Sequence, residues 1–302
     1  MRQQNNQQSK ALMTSSNTHA ASPAFQLSCL PAIIGLLALY LPTYYSLANG
    51  LWDSEEQAHG PIVLIVALYL LWQRWGQLQQ LAAKPANIAG GLSLLLGCVL
   101  YALGRSQDIL IFEVGSQISV LAGLILLEWG WRGVRLCAFP LFFLIFMVPL
   151  PGSFVDAATA SLKAHVSVIA EHLLYWAGYP IARNGVVLTI GQYQLLVADA
   201  CSGLHSMFSL SAMGLLYFYL IKHSSWLRNG ILIAAILPMA FAANIVRVMV
   251  LVLVTYHFGN DAAQGFIHSS AGILLFVVAL LGLMALDALL GLVFKDKAEA
   301  AK

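Results

Sequence analysis

Long apolar runs separated by short polar segments occupy the chain from residue 30 to residue 293. A helix that crosses a bilayer needs about 20 largely apolar residues, and eight runs approach that length. The runs at 60–75 and 136–150 are the shortest, and Pro140 and Pro149 interrupt the second of them. The pattern predicts an all-α membrane bundle of about eight transmembrane helices, at residues 30–48, 60–75, 88–104, 114–131, 136–150, 204–221, 230–256 and 268–293.

The connection between the fifth and sixth runs, residues 151–203, has a different pattern. Apolar residues recur at helical spacing over 161–176, with Lys163 and Glu171 among the polar positions between them. This spacing is typical of an amphipathic helix that lies at a membrane interface. Two β-rich runs, 186–190 and 193–197, then flank Gly191 and Gln192, which predicts a β-hairpin immediately before the sixth helix.

The composition supports lipid as the surrounding solvent. Apolar residues make up 60% of the chain and charged residues 9%, whereas ordinary globular proteins have about 25% charged residues. The net charge of +2 is too small and too dispersed to indicate a nucleic-acid partner. Residues 1–29 are rich in Gln, Asn and Ser and are predicted to form a flexible polar tail, while 294–302 form a short second tail.

Lys and Arg residues are distributed unevenly between alternate connections. With a cytoplasmic N-terminus, eleven of them fall on the cytoplasmic side and only Arg105, Lys163 and Arg183 on the outer side. Basic residues favour cytoplasmic loops, so the distribution predicts cytoplasmic termini and places residues 151–203 on the outer face. The fifteenth basic residue, Arg247, lies inside a predicted span.

Cys201 lies where this outer connection meets the sixth predicted helix. Unpaired backbone N–H groups at a helix start favour a thiolate, so Cys201 is a candidate nucleophile. The alternative is a buried structural cysteine, which is the interpretation that suits Cys29, Cys98 and Cys137. The predicted topology gives Cys201 no cysteine partner on the outer side, so we expect no disulfide.

Arg247 is the residue least expected in an apolar helix. An arginine at the centre of a bilayer costs about 3 kcal/mol or more, so it should face a polar site or an ionic partner. The predicted spans offer few acids, since Glu113, Glu128 and Asp287 lie near helix ends. Asn244 falls on the same helical face as Arg247 and is a candidate binding residue. A snorkelling or purely structural arginine is the alternative interpretation.

Two histidines compete for the role of general base. His268 opens the eighth predicted helix at the outer boundary, and His205 follows Cys201 by four residues on one helix face. His59, before the second helix, is a candidate cavity residue or simply part of a helix start. A thiol, a cation and a base would reach the outer leaflet on successive helices, which suits nucleophilic catalysis. No recognised metal-ligand spacing is present, so we expect neither a metal nor a cofactor.

Two segments and one histidine resemble the exosortase/archaeosortase family. They are residues 198–204 (Ala-Asp-Ala-Cys-Ser-Gly-Leu), residues 243–247 (Ala-Asn-Ile-Val-Arg) and His268. The resemblance extends over roughly residues 30–293 and includes the His-Gly-Pro sequence at 59–61. It implies that Cys201, Arg247 and His268 are catalytic, in a bacterial cytoplasmic membrane with the active site at the outer leaflet. It further implies substrates that are exported proteins with a C-terminal sorting signal: a Pro-Glu-Pro motif, a spanning helix and a basic tail.

The resemblance thus implies a cysteine transpeptidase or protease that acts through a thioester and is linked to exopolysaccharide and biofilm matrix. Whether Arg247 contacts the motif's glutamate or the oxyanion stays open, as do the acceptor and the oligomeric state. The residues alone also allow a transporter or channel, a non-catalytic subunit of a polysaccharide export complex, or a membrane acyltransferase.

Overall fold

The computed structural model describes residues 23–53, 57–82, 84–196, 203–221, 225–266 and 272–293. Residues 1–22 of the predicted N-terminal tail, 1–29, and the whole predicted C-terminal tail, 294–302, lie outside these residues. In the described part the helices are α1 Pro23–Ala48, α2 Gly60–Gln80, α3 Asn87–Gln107, α4 Leu110–Leu136, α5 Ala138–Phe143, α6 Gly152–Trp176, α7 Gly203–Ile221, α8 Trp226–Phe258, α9 Asn260–Phe266 and α10 Gly272–Val293. Three strands lie between α6 and α7: β1 Ile181–Asn184, β2 Val187–Ile190 and β3 Tyr193–Leu196.

Each of the eight predicted apolar runs contains a helix. Within the described ranges, six helices are long and apolar enough to cross a membrane, at Leu30–Ala48, Gly60–Gln80, Asn87–Gln107, Leu110–Leu136, Trp226–Phe258 and Phe276–Val293. Two further apolar helical segments are shorter. One is Ala138–Met147, which is α5 together with the 3₁₀ helix that follows it, and the other is Phe208–Ile221, within α7. The count of eight spans therefore stays a prediction. α1 begins at Pro23, inside the segment predicted as the N-terminal tail.

Among the described helices, α3 and α4 have the most extensive contact with each other. Glycine residues allow their backbones to approach closely. A Cβ added at Gly97 would lie 2.5 Å from Cγ2 of Val120, and one added at Gly104 would lie 2.3 Å from the backbone nitrogen of Glu113. Small residues allow neighbouring membrane helices to approach closely in this way. The contacts hold α3 and α4 side by side along their length.

A buried polar cluster joins α1 to this pair. The Thr43 hydroxyl donates to Oε1 of Glu113 at 2.6 Å, and Arg105 donates to the same oxygen at 3.2 Å. One turn away, the Tyr44 hydroxyl donates to Oε1 of Gln117 at 2.6 Å. Such hydrogen bonds satisfy polar groups that would be costly to leave unpaired in lipid. Glu113, considered above as a partner for Arg247, is therefore engaged by Arg105.

The connection 151–203 has the predicted helix and hairpin, with two additions. α6 begins at Gly152, nine residues before the predicted start, and ends at Trp176 as predicted. It buries Val166, Ala170 and Leu174 against α8 and the sheet, which confirms its amphipathic character. The hairpin of β2 and β3 is confirmed, and the unpredicted strand β1 completes a three-stranded antiparallel sheet in the order β1-β2-β3.

The sheet packs on the C-terminal end of α8, which we call the sheet end of the bundle. Leu188 and Ile190 of β2 are fully buried in a cluster with Val248 and Val252 of α8. The sheet therefore covers the region of α8 just beyond Arg247.

At the opposite end, a buried ion pair ties α8 to α10. Arg228 contacts the carboxylate of Asp287 through Nε at 2.8 Å and Nη2 at 2.6 Å, and both residues are less than 10% exposed. The hydroxyl of Tyr217 on α7 donates to the second carboxylate oxygen at 3.0 Å. Asp287, another acid considered as a partner for Arg247, thus joins three helices at the far end of the bundle.

Replacing Asp287 with alanine should destabilise the protein by about 3–5 kcal/mol, because it leaves the buried Arg228 charge uncompensated. Thermal unfolding of the purified protein in detergent measures the effect. Glu171→Gln is the control, since Glu171 pairs with Arg183 in a more exposed site and should change stability by at most about 1 kcal/mol. Equal effects of the two substitutions would contradict the expectation.

Candidate active site

Arg247 lies in the interior of α8, a helix of 33 residues, and is only 5% exposed. Asn244, three residues earlier, is 1% exposed. Ala240 and Ala243 precede Arg247 by seven and four residues, so all three lie along one stripe of the helix. Those two alanines pack in one cluster with residues of α7 and α10. The side of α8 that carries Arg247 is therefore the side that these two helices cover.

Helix α7 is an antiparallel neighbour of α8, and its contacts fix the relative register. A Cβ added at Gly214 would lie 2.9 Å from Cγ2 of Ile236, so these positions are opposite each other. Leu210, four residues before Gly214 on α7, lies in one cluster with Ala240 and Ala243, which follow Ile236 on α8. The same register therefore continues along the two helices. Gly203 is eleven residues before Gly214, and Arg247 is eleven residues after Ile236. α7 therefore begins at the level of Arg247.

Helix α10 has a matching register on α8. A Cβ added at Gly282 would lie 3.2 Å from Sδ of Met239. Gly272, where α10 begins, is ten residues before Gly282, and Met249 is ten residues after Met239. At a rise of about 1.5 Å per residue, the start of α10 falls within about 3 Å of the level of Arg247 along the helix. The first described residues of two helices therefore lie near the level of one buried arginine.

The two other predicted catalytic residues, Cys201 and His268, lie outside the described residues. In the sequence, Cys201 precedes the first residue of α7 by two positions, and His268 precedes the first residue of α10 by four. His205 falls in the first turn of α7, and its side chain also lies outside the described part. Of the predicted site residues, the structure brings together Arg247 and Asn244.

His59 lies in a different part of the bundle, in a cavity that is also lined by residues of α7. It immediately precedes α2, which has Pro61 in its first turn, and its Nε2 is 3.2 Å from the carbonyl oxygen of Phe146. With Ser209 and Phe276 it lines an apolar cavity of about 240 Å³ between α2, α7 and α10. Among the residues that the structure describes, Arg247 is not part of this lining.

Ser209 is a polar residue of this cavity that the sequence did not single out. It is 7% exposed and lies six residues after the start of α7. A hydroxyl within an otherwise apolar stretch of helix could have marked Ser209 as a cavity residue. A single serine is a weak indication, however, because its hydroxyl can bond to the preceding backbone turn and serine is therefore common in membrane helices.

The sheet approaches Arg247 through β3. Leu195 of β3 packs against a buried cluster formed by Leu251 of α8 and Ala263 of α9. Leu251 follows Arg247 by four residues and so lies one turn further along the same helical face. The strand that leads toward Cys201 therefore rests on the turn of α8 next to Arg247.

In a comparison with protein families, the family model described as Transmembrane exosortase (Exosortase_EpsH) matches residues 51–285. No curated protein and no solved structure matches the chain. The matched range runs from the segment before α2 into α10 and includes Cys201, Arg247 and His268.

Proposed function

The chain belongs to the transmembrane exosortase family, whose model matches residues 51–285, and from this premise we propose a specific activity for it. The family assignment supports a multi-pass membrane protein with a general role in protein sorting by transpeptidation. The proposed activity is cleavage of the C-terminal sorting signal of exported proteins by a membrane-embedded cysteine transpeptidase or protease. Cys201 is the proposed nucleophile, Arg247 the cationic group and His268 the acid and base.

The observation that carries this proposal is that the first described residues of α7 and α10 both lie near the level of Arg247. α7 begins level with Arg247, and α10 begins within about 3 Å of that level. Two residues separate Cys201 from the first position of α7, and four separate His268 from the first position of α10. Since consecutive Cα atoms are about 3.8 Å apart, the Cα of Cys201 is within about 8 Å of that of Gly203, and the Cα of His268 is within about 15 Å of that of Gly272.

The proposed chemistry proceeds through a thioester. The Cys201 thiolate adds to the carbonyl carbon of the scissile peptide, and the C–N bond breaks as His268 donates a proton to the leaving amine. His268 then accepts a proton from the acceptor amine, hydroxyl or water as that group displaces the thiolate. Arg247 stabilises either the oxyanion that forms during both steps or the glutamate of the recognised motif.

The proposed substrate carries a Pro-Glu-Pro motif, an apolar helix and a basic tail, as the resemblance described above implies. Its apolar helix would lie in the bilayer beside α7, α8 and α10, with the motif at the sheet end of the bundle. The proposal places that end at the outer leaflet of a bacterial cytoplasmic membrane and both termini in the cytoplasm. A link to exopolysaccharide and biofilm matrix follows from the same resemblance.

Co-expression with a reporter tests the proposal. The reporter is an exported protein that ends in the three-part sorting signal, and we expect the chain to remove the signal, measured as a shift in reporter mass. A matched reporter with Ala-Gln-Ala in place of the motif should remain intact. Retention of the signal on both reporters would overturn the proposed function.

Thiol labelling separates an enzyme from a transporter or a non-catalytic subunit. A membrane-impermeant maleimide added to intact cells should modify Cys201, because a nucleophile for exported substrates must be reachable from outside. An inert Cys201 would favour the two non-enzymatic alternatives.

The roles of His268 and His205 can be separated by substitution. His268→Ala should lower the processing rate by on the order of a hundredfold, the usual cost of losing a general base. His205→Ala should cost much less, since a residue on the same helix as the thiol would tune the thiol or pack against it. Rates of signal removal from the reporter give both values, and a larger loss for His205→Ala would reverse the assignment.

A further inference from the structure

Strand β3 is an edge strand whose outward hydrogen-bonding groups can be identified from the turn before it. Gly191 has φ of +55° and opens the two-residue turn between β2 and β3, which is the type II′ pattern with glycine first. Such a turn closes with a hydrogen bond from the N–H of Tyr193 to the carbonyl of Ile190. Because bonded and non-bonded pairs alternate along an antiparallel ladder, Leu195 also bonds to β2.

The backbone groups of Gln194 and Leu196 therefore point away from β2. Both residues are exposed, whereas Tyr193 and Leu195 are half-buried against the bundle. In the described part of the chain, β3 pairs with β2 alone. Two residues with outward N–H and C=O groups can bond to one further extended chain.

The two edges of the sheet differ in how they are protected. Folded proteins block unwanted pairing at a sheet edge with charged side chains and with proline. The edge formed by β1 has both, since Pro180 precedes it and Arg183 lies at an outward position, paired with Glu171. β3, with the sequence Tyr-Gln-Leu-Leu, has neither a charge nor a proline.

The unprotected edge also lies close to α8 in the region of Arg247. Leu195 packs against the cluster that contains Leu251, one turn from Arg247, and Leu196 precedes Cys201 by five residues. We propose that the edge of β3, which is unpaired in the described part of the chain, binds the substrate as an added β-strand. The occupant is the extended, proline-containing segment of the sorting signal, so this inference rests on the proposed function.

The proposed motif is compatible with this mode of binding. In an extended chain, the backbone groups of alternate residues point to the same side. The two prolines of a Pro-Glu-Pro segment then face away from β3, where their missing N–H groups cost nothing, and the glutamate N–H and C=O face the strand. Proline occurs in strands at just such edge positions, and it prevents a further strand from adding.

Two variants of Gln194 test the proposal in the full-length protein in detergent. The probe is a fluorescent synthetic peptide with the Pro-Glu-Pro segment between alanines, and binding is measured by anisotropy. Gln194→Pro removes the outward N–H without removing a bond to β2, and it should weaken peptide binding about tenfold or more relative to Gln194→Ala. Equal affinities for the two variants would overturn the proposal.

N-methylation of the peptide gives a second test that leaves the protein unchanged. The binding partner is the wild-type protein, and one alanine amide of the peptide is methylated at a time. Because β3 offers two outward residues and the glutamate pairs with one of them, binding should weaken about tenfold at one alanine, two residues from the glutamate, and little at the adjacent alanine, whose amide faces away from β3. A uniform effect, no effect, or no binding of the parent peptide would overturn strand addition.

The two proposals fail separately. Reporter cleavage with a flat N-methyl profile would leave the protease activity standing and remove strand addition. Loss of binding on methylation of that one alanine alone, in a chain that removes no signal from the reporter, would do the reverse.

Discussion

Replacing Cys201 with alanine should abolish removal of the sorting signal, with a loss on the order of a thousandfold or more in rate. The methyl group of alanine cannot form the thioester on which the proposed reaction depends, so water alone would have to attack the peptide. The fraction of the exported reporter that retains its signal measures the loss. Cys201→Ser should leave little activity, because a serine hydroxyl forms an anion far less readily than a thiol.

Cys98 provides the matched control. It is a free, exposed cysteine on α3, next to the Gly97 contact but directed away from it. Cys98→Ala should leave processing within about twofold of wild type, since an exposed side chain outside these contacts contributes little. Normal processing by Cys201→Ala, with the protein inserted and folded, would show that the thiol mechanism is wrong.

Hydropathy predicted the positions of the helices well and their internal continuity poorly. The run 136–150 is apolar enough to suggest one span, yet α5 ends at Phe143 and the chain continues as a 3₁₀ helix, Leu144–Met147. Average hydropathy does not register the hydrogen-bonding pattern of the backbone, and the two prolines in the run were the available warning.

Strand β1 was missed for a different reason. Its sequence, Ile-Ala-Arg-Asn, has one β-branched residue and no alternation of apolar and polar positions. It pairs because the Gly185 turn, with φ of +62°, returns the chain alongside β2, and because Arg183 reaches Glu171 on α6. Strand propensity depends strongly on such neighbours, which the local sequence does not show.

Candidate residues could be chosen from the sequence, but their juxtaposition could not. The free-energy cost of an arginine in an apolar run was enough to single out Arg247. That α7 and α10 both begin near its level depends on close contacts at Gly214 and Gly282, which set the register between helices. Small residues are common in membrane helices, so the sequence does not tell which of them form contacts.

Arg247 should be essential for processing, even when replaced by lysine. A guanidinium can donate two parallel hydrogen bonds to a carboxylate or an oxyanion, whereas an ammonium is a single point charge on a flexible chain. We expect Arg247→Lys to lower the rate of signal removal by about a hundredfold or more, in the range measured when one oxyanion donor is lost. The assay is the rate at which the reporter loses its signal.

Arg105→Lys is the matched control for that experiment. Arg105 also donates to a carboxylate, that of Glu113, but its side chain is half exposed and lies on α3, outside the group of helices around Arg247. Lysine can keep the charge there, so Arg105→Lys should process the reporter at close to the wild-type rate. If Arg247→Lys were equally active, a positive charge alone would suffice at that position, and two-point binding by Arg247 would be wrong. If only Arg247→Lys shows a large loss, processing needs the two parallel donors of the guanidinium at position 247.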